Sequence, residues 1–263
     1  MNGLKEEVAE GKYILSFPHL TSTQDYAKKI ISTCARDIVG VRADYQSSGR
    51  GRLKSQWDAV PNSSLLVSYI FDLSGFSKRH VKLISLVTAA AAITAISEST
   101  NLTPQYKWHN DILISNRKVC GVLIETPAFK QSLSQAIIGV GVNLTQLEFP
   151  PDIESIATSI AMEGGQAPTP QALAKTLYHK LLWWADILLW HGLDPITEML
   201  REHDGYTGEH YRVTTDSGER PGTAVGITSE GELILRMEDG SILATQNATS
   251  QKSVHRYNIP ADS

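Results

Sequence analysis

Apolar and polar positions alternate with a strand-like period in some stretches and a helix-like period in others. Residues 13–17 form a short apolar and aromatic run that predicts an opening strand. Thr21, Ser22, Thr23 and Gln24 then supply cap-type side chains ahead of Ala27, Ile30 and Ile31, whose three- and four-residue spacing predicts an amphipathic helix. Residues 38–45 and 63–71 alternate as half-buried strands do, and between them residues 46–57 form a loop rich in glycine and cation. Residues 78–98 are dense in alanine with Leu, Val and Ile on more than one face, which predicts a largely buried helix. Asp111–Ile114 and residues 119–125 flank the polar turn Ser115-Asn116-Arg117-Lys118 and predict a hairpin, and residues 136–144 supply another apolar strand.

From residue 152 to about 204 the pattern predicts three helices, over 153–162, 170–190 and 194–203, with Pro170 suited to a first helical turn. Beyond Tyr206 it changes again, to short strand-like runs at 210–215, 223–227, 232–237 and 241–245, separated by Asp-Ser-Gly, Ser-Glu-Gly and Glu-Asp-Gly turns. A domain boundary is therefore expected near Tyr206, dividing the chain into 1–205 and 206–263. The fold class expected is α+β: a mixed sheet flanked by helices, followed by a small antiparallel barrel.

Composition narrows the classes. With 41% hydrophobic and 20% charged residues the chain is neither collagen-like nor disordered. Lys plus Arg number 24 against 28 Asp plus Glu, and no basic stripe stands out, so nucleic acid is not expected as a main partner. Cys34 and Cys120 are far apart and lack CxxC spacing, which excludes a disulfide framework and a thiolate zinc site. Residues 1–11 have no signal-peptide core, and the apolar run 83–96 is too short to span a bilayer. A soluble, cytoplasmic protein without membrane contact is expected.

Three segments carry candidate chemistry. Gly49-Arg50-Gly51-Arg52 lets backbone approach a ligand and presents two guanidinium forks suited to carboxylate or phosphate, although the same residues also describe a solvated basic loop. Lys107-Trp108-His109-Asn110-Asp111 opens the hairpin whose far side carries Lys118, so one hairpin gathers Asn, Asp and Lys into a cluster able to bind an acyl phosphate. Gly139-Val140-Gly141-Val142-Asn143 puts two glycines at alternate strand positions, for tight packing or for a ligand. There is no dinucleotide fingerprint, P-loop or G-x-S-x-G elbow, and the eight histidines show no metal spacing. Trp183, Trp184 and Trp190 are expected on a helix face packing on the sheet.

In order along the chain, these segments resemble the biotin protein ligases. Ser22-Thr23-Gln24 is similar to that family's Ser-Thr-Asn, residues 46–57 to its Gln…GRGR…Trp loop, 107–111 to KWPND, 118–125 to K-x-x-G-[IV]-L-x-E, and 139–143 to GxGxN. The resemblance implies the biotin/lipoate ligase fold, akin to class II aminoacyl-tRNA synthetases, with a C-terminal SH3-like barrel. It also suggests the single-function type, without the DNA-binding segment of ligases that double as repressors.

The implied activity is ATP-dependent ligation of biotin to a lysine of a biotin carboxyl carrier protein through biotinyl-5′-AMP, with Mg²⁺ accompanying ATP. The resemblance implies that Ser22, Thr23, Gln46, Gly49, Arg50, Lys118 and Gly121 bind biotin. It places Arg52, Trp57, Asn110 and Asn143 at the nucleotide, and makes Lys118, Arg50 and Arg52 electrostatic catalysts, with Asp111 orienting or deprotonating the acceptor amine. Metal ligands are not identified, and members of that family often dimerise through the sheet.

The chain departs from the family pattern at Leu53-Lys54-Ser55, where relatives continue Arg-Gly-Arg, at His109, where they carry Pro, and at Ala59-Val60-Pro61-Asn62, where they carry Ser-Pro-x-Gly. Lipoate or octanoate ligase or transferase chemistry on the same fold, and non-catalytic biotin sensing, are the competing functions.

Overall fold

The computed structural model describes residues 3–33, 35–52, 55–126, 135–215 and 218–250. The chain runs β1 (Leu4–Ala9), β2 (Lys12–Phe17), α1 (Thr23–Ser32), β3 (Ile38–Ala43), β4 (Ser64–Asp72), α2 (Lys78–Thr100), β5 (Gln105–Lys107), β6 (Asp111–Ile114), β7 (Arg117–Glu125) and β8 (Gln135–Asn143). It continues with α3 (Pro170–His191), α4 (Asp194–Glu202), β9 (His210–Thr215), β10 (Gly218–Ile227), β11 (Leu233–Met237), β12 (Ile242–Thr245) and β13 (Ala248–Ser250). Strands β1 to β8 form one mixed sheet in the order β1-β2-β3-β4-β8-β7-β6-β5, in which β2 and β3 pair in parallel and the other pairings are antiparallel.

Helices cover both faces of this sheet. On one, Ala27 of α1 packs with Phe17, Val41 and Ile137. On the other, α2 and α3 bury the opposite side chains, including Val67, Tyr69, Ile138 and Val140. By length and hydropathy α2 could cross a membrane, contrary to the expectation from 83–96, but 67% of its apolar window is buried inside the fold. It is the core helix that its alanine-rich composition predicts.

Three expectations need correcting. The first strand is β1 rather than residues 13–17. Its sequence LKEEVA reads as polar because it lies at the sheet edge, where Val8 alone is buried and the charges discourage pairing with other chains. Glu6 of β1 reaches Arg42, an almost fully buried arginine whose other partner is Asp44 at 2.6 Å. Second, residues 153–162 do not form an α-helix. Ile153, Ile156 and Ile160 have helical spacing, but the backbone is claimed by β7: Lys118 N donates to Ile156 O at 2.7 Å and Thr158 N donates to Lys118 O at 2.9 Å. Third, of the tryptophans expected to pack on the sheet only Trp184 is buried, while Trp183 and Trp190 stand on the exposed side of α3; β5 forms the other edge of the sheet.

Strands β9 to β13 form a second, antiparallel sheet in the order β12-β11-β10-β9-β13. This is the small antiparallel unit expected beyond Tyr206, and among the described residues no bridge joins β12 to β13. It packs firmly on the first: Trp108 Nε1 donates to Gly231 O at 3.2 Å, Tyr211 Oη donates to Trp108 O at 3.0 Å, and Tyr106 meets Tyr206 edge to face. Tyr211, Leu233 and Leu235 belong to the same apolar core as α2 and α3.

Candidate active site

Past the N-terminus of α1, on the same face of the sheet, lies a cavity of about 210 Å³. Its floor follows from strand alternation: Gly139, Gly141 and Asn143 share the face of Ile137, which packs against α1. The glycines are required by what lies on them. A Cβ at Gly141 would fall 2.6 Å from Trp57 Cε2, and one at Gly121, paired with Gly141 across β7, would fall 2.7 Å from Trp57 Cζ3. At Gly141 both readings merge, since the tight packing is packing by a loop side chain inside the cavity, whereas a Cβ at Gly139 would meet Gln24 of α1 at 3.1 Å. The Trp57 indole N–H is buried there without a protein acceptor.

One end of the cavity is a neutral hydrogen-bonding cluster. Gln46 Oε1 accepts from Thr23 N at 2.6 Å and from Thr23 Oγ1 at 3.0 Å, so this geometry orients the amide with its NH₂ group elsewhere. Thr23 Oγ1 also lies 2.8 Å from Ser68 Oγ. Ser22 caps α1, its Oγ accepting from Asp25 N at 3.4 Å. Ser68 was missed from the sequence, where its one signal is a hydroxyl interrupting the apolar run of β4.

The other end is charged. Lys118 points into the cavity because β7 carries a register shift between its pairings to Ile112 and Leu113, and the extra residue, Val119, puts Lys118 on the face of Gly121. The Lys118 ammonium lies 2.7 Å from Asp111 Oδ1 and 5.5 Å from the centre of the Trp57 ring. Arg52 meets His109 Nδ1 at 2.6 Å and donates to Asn110 Oδ1 at 2.9 Å. Burial pulls the Arg52 pKa down, opposed by the Asp111 charge, yet arginine stays protonated throughout the working range. Burial, and secondarily Arg52, lowers His109 to about 4, so its Nδ1 is a neutral acceptor near pH 7.

The residues expected at the site do converge: Ser22, Thr23, Gln46, Arg50, Arg52, Trp57, Asn110, Asp111, Lys118, Gly121 and Asn143 all line the cavity. Gly49 supports the loop instead. Its carbonyl accepts from Trp57 N at 3.0 Å, and a Cβ there would fall 2.9 Å from Trp57 O. Asn143 commits its Nδ2 to Thr158 O at 2.9 Å, leaving Oδ1 buried without a partner. Arg50 turns toward Asp25 and Glu125 rather than toward Lys118. Leu53 and Lys54 lie outside the described residues. Two parts of the lining have no sequence signal: the turn residues Ile153, Ile156 and Ala157, and Ala248 to Ser250 of β13, contributed by the second sheet.

Residues 16–143 match the Biotin/lipoate A/B protein ligase family. The bifunctional ligase/repressor BirA of Bacillus subtilis is 31% identical over 244 residues, covering 90% of this chain and 73% of that protein. The chain belongs to this family. The biotin--[acetyl-CoA-carboxylase] ligase of Paracoccus denitrificans is 28% identical over 74% of this chain and 83% of its own length. The fold agrees with that of the Aquifex aeolicus biotin protein ligase solved with biotin and ATP, at a TM-score of 0.76 and 23% identity, covering 91% of this chain and 99% of that one. The family segments fall on the cavity from the floor at Gly139–Asn143 to the hairpin bearing Asp111 and Lys118.

Proposed function

We propose that the chain ligates biotin to a lysine of a biotin carboxyl carrier protein in the cytoplasm, at the expense of ATP and through biotinyl-5′-AMP. The observation that carries this reading is the polarity of this cavity, with neutral hydrogen-bonding groups at Thr23, Gln46 and Ser68 and cations at Lys118 and Arg52. An acid with a neutral polar head and an aliphatic tail fits that gradient, its carboxylate reaching the cations.

In the first half-reaction a carboxylate oxygen of biotin attacks the α-phosphorus of ATP and pyrophosphate leaves. Two anions must approach, so positive charge fixed in advance lowers the barrier without a covalent enzyme intermediate. Lys118, oriented by Asp111, and Arg52, oriented by His109 and Asn110, supply it. Trp57 and Asn143 border the nucleotide, and the loop over the cavity shields the mixed anhydride from water. In the second half-reaction the carrier lysine amine attacks the acyl carbon, AMP leaves, and the amine loses a proton, which this proposal assigns to the Asp111 carboxylate.

Among the described residues no group of three His, Cys, Asp or Glu could hold a metal. Mg²⁺ enters this proposal as part of the MgATP substrate, as is usual for an ion that keeps its waters and binds phosphates. Residues 1–205 form the catalytic part in this proposal, and 206–263 a second domain that completes the cavity wall through β13.

The test is ATP–pyrophosphate exchange with biotin, lipoate, octanoate or no acid. Exchange that depends on biotin is expected, followed by transfer of label to a carrier domain. Exchange driven by lipoate or octanoate alone would move the assignment to the sister activity, and biotin binding without exchange would make the chain a sensor.

A further inference from the structure

The two arginines of the Gly-Arg loop are held in opposite ways. Arg52 is oriented by the neutral acceptors His109 Nδ1 and Asn110 Oδ1. Arg50 instead faces two carboxylates: it donates through NH1 to Glu125 Oε1 at 3.3 Å, through NH2 to Glu125 Oε2 at 3.0 Å, and through NH2 to Asp25 Oδ1 at 2.8 Å. Glu125 is itself held, accepting from Gln24 Nε2 at 3.0 Å and from Lys28 Nζ at 3.1 Å, and Lys28 lies 3.7 Å from Asp25. The cluster balances two carboxylates against two cations, and it joins the start of α1, the end of β7 and the loop.

We infer that Glu125 is a positioning residue which, through Arg50, holds the Gly-Arg loop shut over the cavity. Isolated surface ion pairs contribute little. This one is a two-pronged fork on a carboxylate fixed by two further donors, and the side chains of Arg50 and Glu125 are only 36% and 27% exposed. Because its charge is already matched, Arg50 is unsuited to neutralising phosphate, which leaves that work to Arg52 and Lys118. The loop is thus held at two points, by Arg50 near α1 and by Arg52 at the hairpin, while its Trp57 lies on Gly121 and Gly141. The consequence for the reaction rests on the proposed function: loss of the latch releases the acyl-adenylate before transfer.

The test compares the full chain with Glu125→Gln, Arg50→Gln and the double variant, measuring release of labelled acyl-adenylate and, separately, tryptic cleavage after Arg52. Glu125→Gln is expected to speed both about tenfold while adenylate still forms, and the double variant to match Arg50→Gln, since that substitution already removes the Arg50–Glu125 contact along with the one to Asp25. Rates within about twofold of the unaltered chain, or effects of the two substitutions that multiply, would overturn the latch. If no acyl-adenylate forms at all, the proposed function fails, and the cleavage rates alone decide the latch. Should Glu125→Gln not fold, Asp25→Asn, on an exposed part of α1, carries the same comparison with a smaller expected acceleration.

Discussion

Lys118 and Arg52 reach the cavity from different segments, and each is held by a partner whose chemistry suits its task. Lys118→Ala leaves Asp111 facing the cavity without its cation, so adenylate formation should fall by about 100-fold or more with the fold retained, as read by pyrophosphate exchange beside a thermal melt. Arg52→Ala should act in the same direction. A variant that keeps full adenylate yield would remove that residue from the mechanism. His109 gives a pH signature. Its folded pKa, about 4, lies below the ordinary 6.5, so the unfolded chain binds the extra proton between those values. Stability therefore falls as pH drops from about 6.5 toward 4, by about 3 kcal/mol at most, and His109→Gln should flatten that part of the urea-midpoint profile. At the cavity floor, Gly141→Ala would drive a methyl into the indole of Trp57 and should lift the loop, seen as faster tryptic cleavage after Arg52 and weaker ATP binding.

The β6–β7 hairpin shows how one element sets the site. Ser115 and Asn116 both have positive φ, at 50° and 60°, the geometry of a tight two-residue hairpin turn that asparagine tolerates and β-branched residues resist. Asn116→Gly should leave stability equal or slightly higher, and Asn116→Val should lower it by about 1–2 kcal/mol, as a urea titration would show. The turn was legible from the polar run between two β-rich segments. The bulge at Val119 was not, because a register shift appears only when two strands are laid side by side, yet it puts Lys118 on the cavity face. Residues 153–162 failed for a related reason: isoleucines at three- and four-residue spacing also suit a turn segment whose backbone bonds are made to a strand edge.

Across the whole molecule the two sheets share one apolar core, and the indole of Trp108 joins them by donating to Gly231 in the β10–β11 turn. Gly231 has φ of +78° and packs against Leu86 of α2, so Gly231→Ala should cost about 2 kcal/mol or more and, by loosening β13 at the cavity, should also weaken ATP binding. A melt and an ATP titration on one preparation would check both; normal binding in a destabilised variant would separate the second sheet from the site. The sequence by itself determined most helices and strands, the change of character near Tyr206, and the segments that converge on the site, because periodicity, turn chemistry and residue type are local properties. Only the tertiary structure decided that the charged segment 4–9 is an edge strand, that Trp57 is what Gly121 and Gly141 accommodate, that Ser68 and β13 line the cavity, and that Arg50 faces carboxylates while Arg52 faces neutral acceptors. Those facts depend on which distant side chains meet across a sheet face, and no spacing along the chain encodes that meeting.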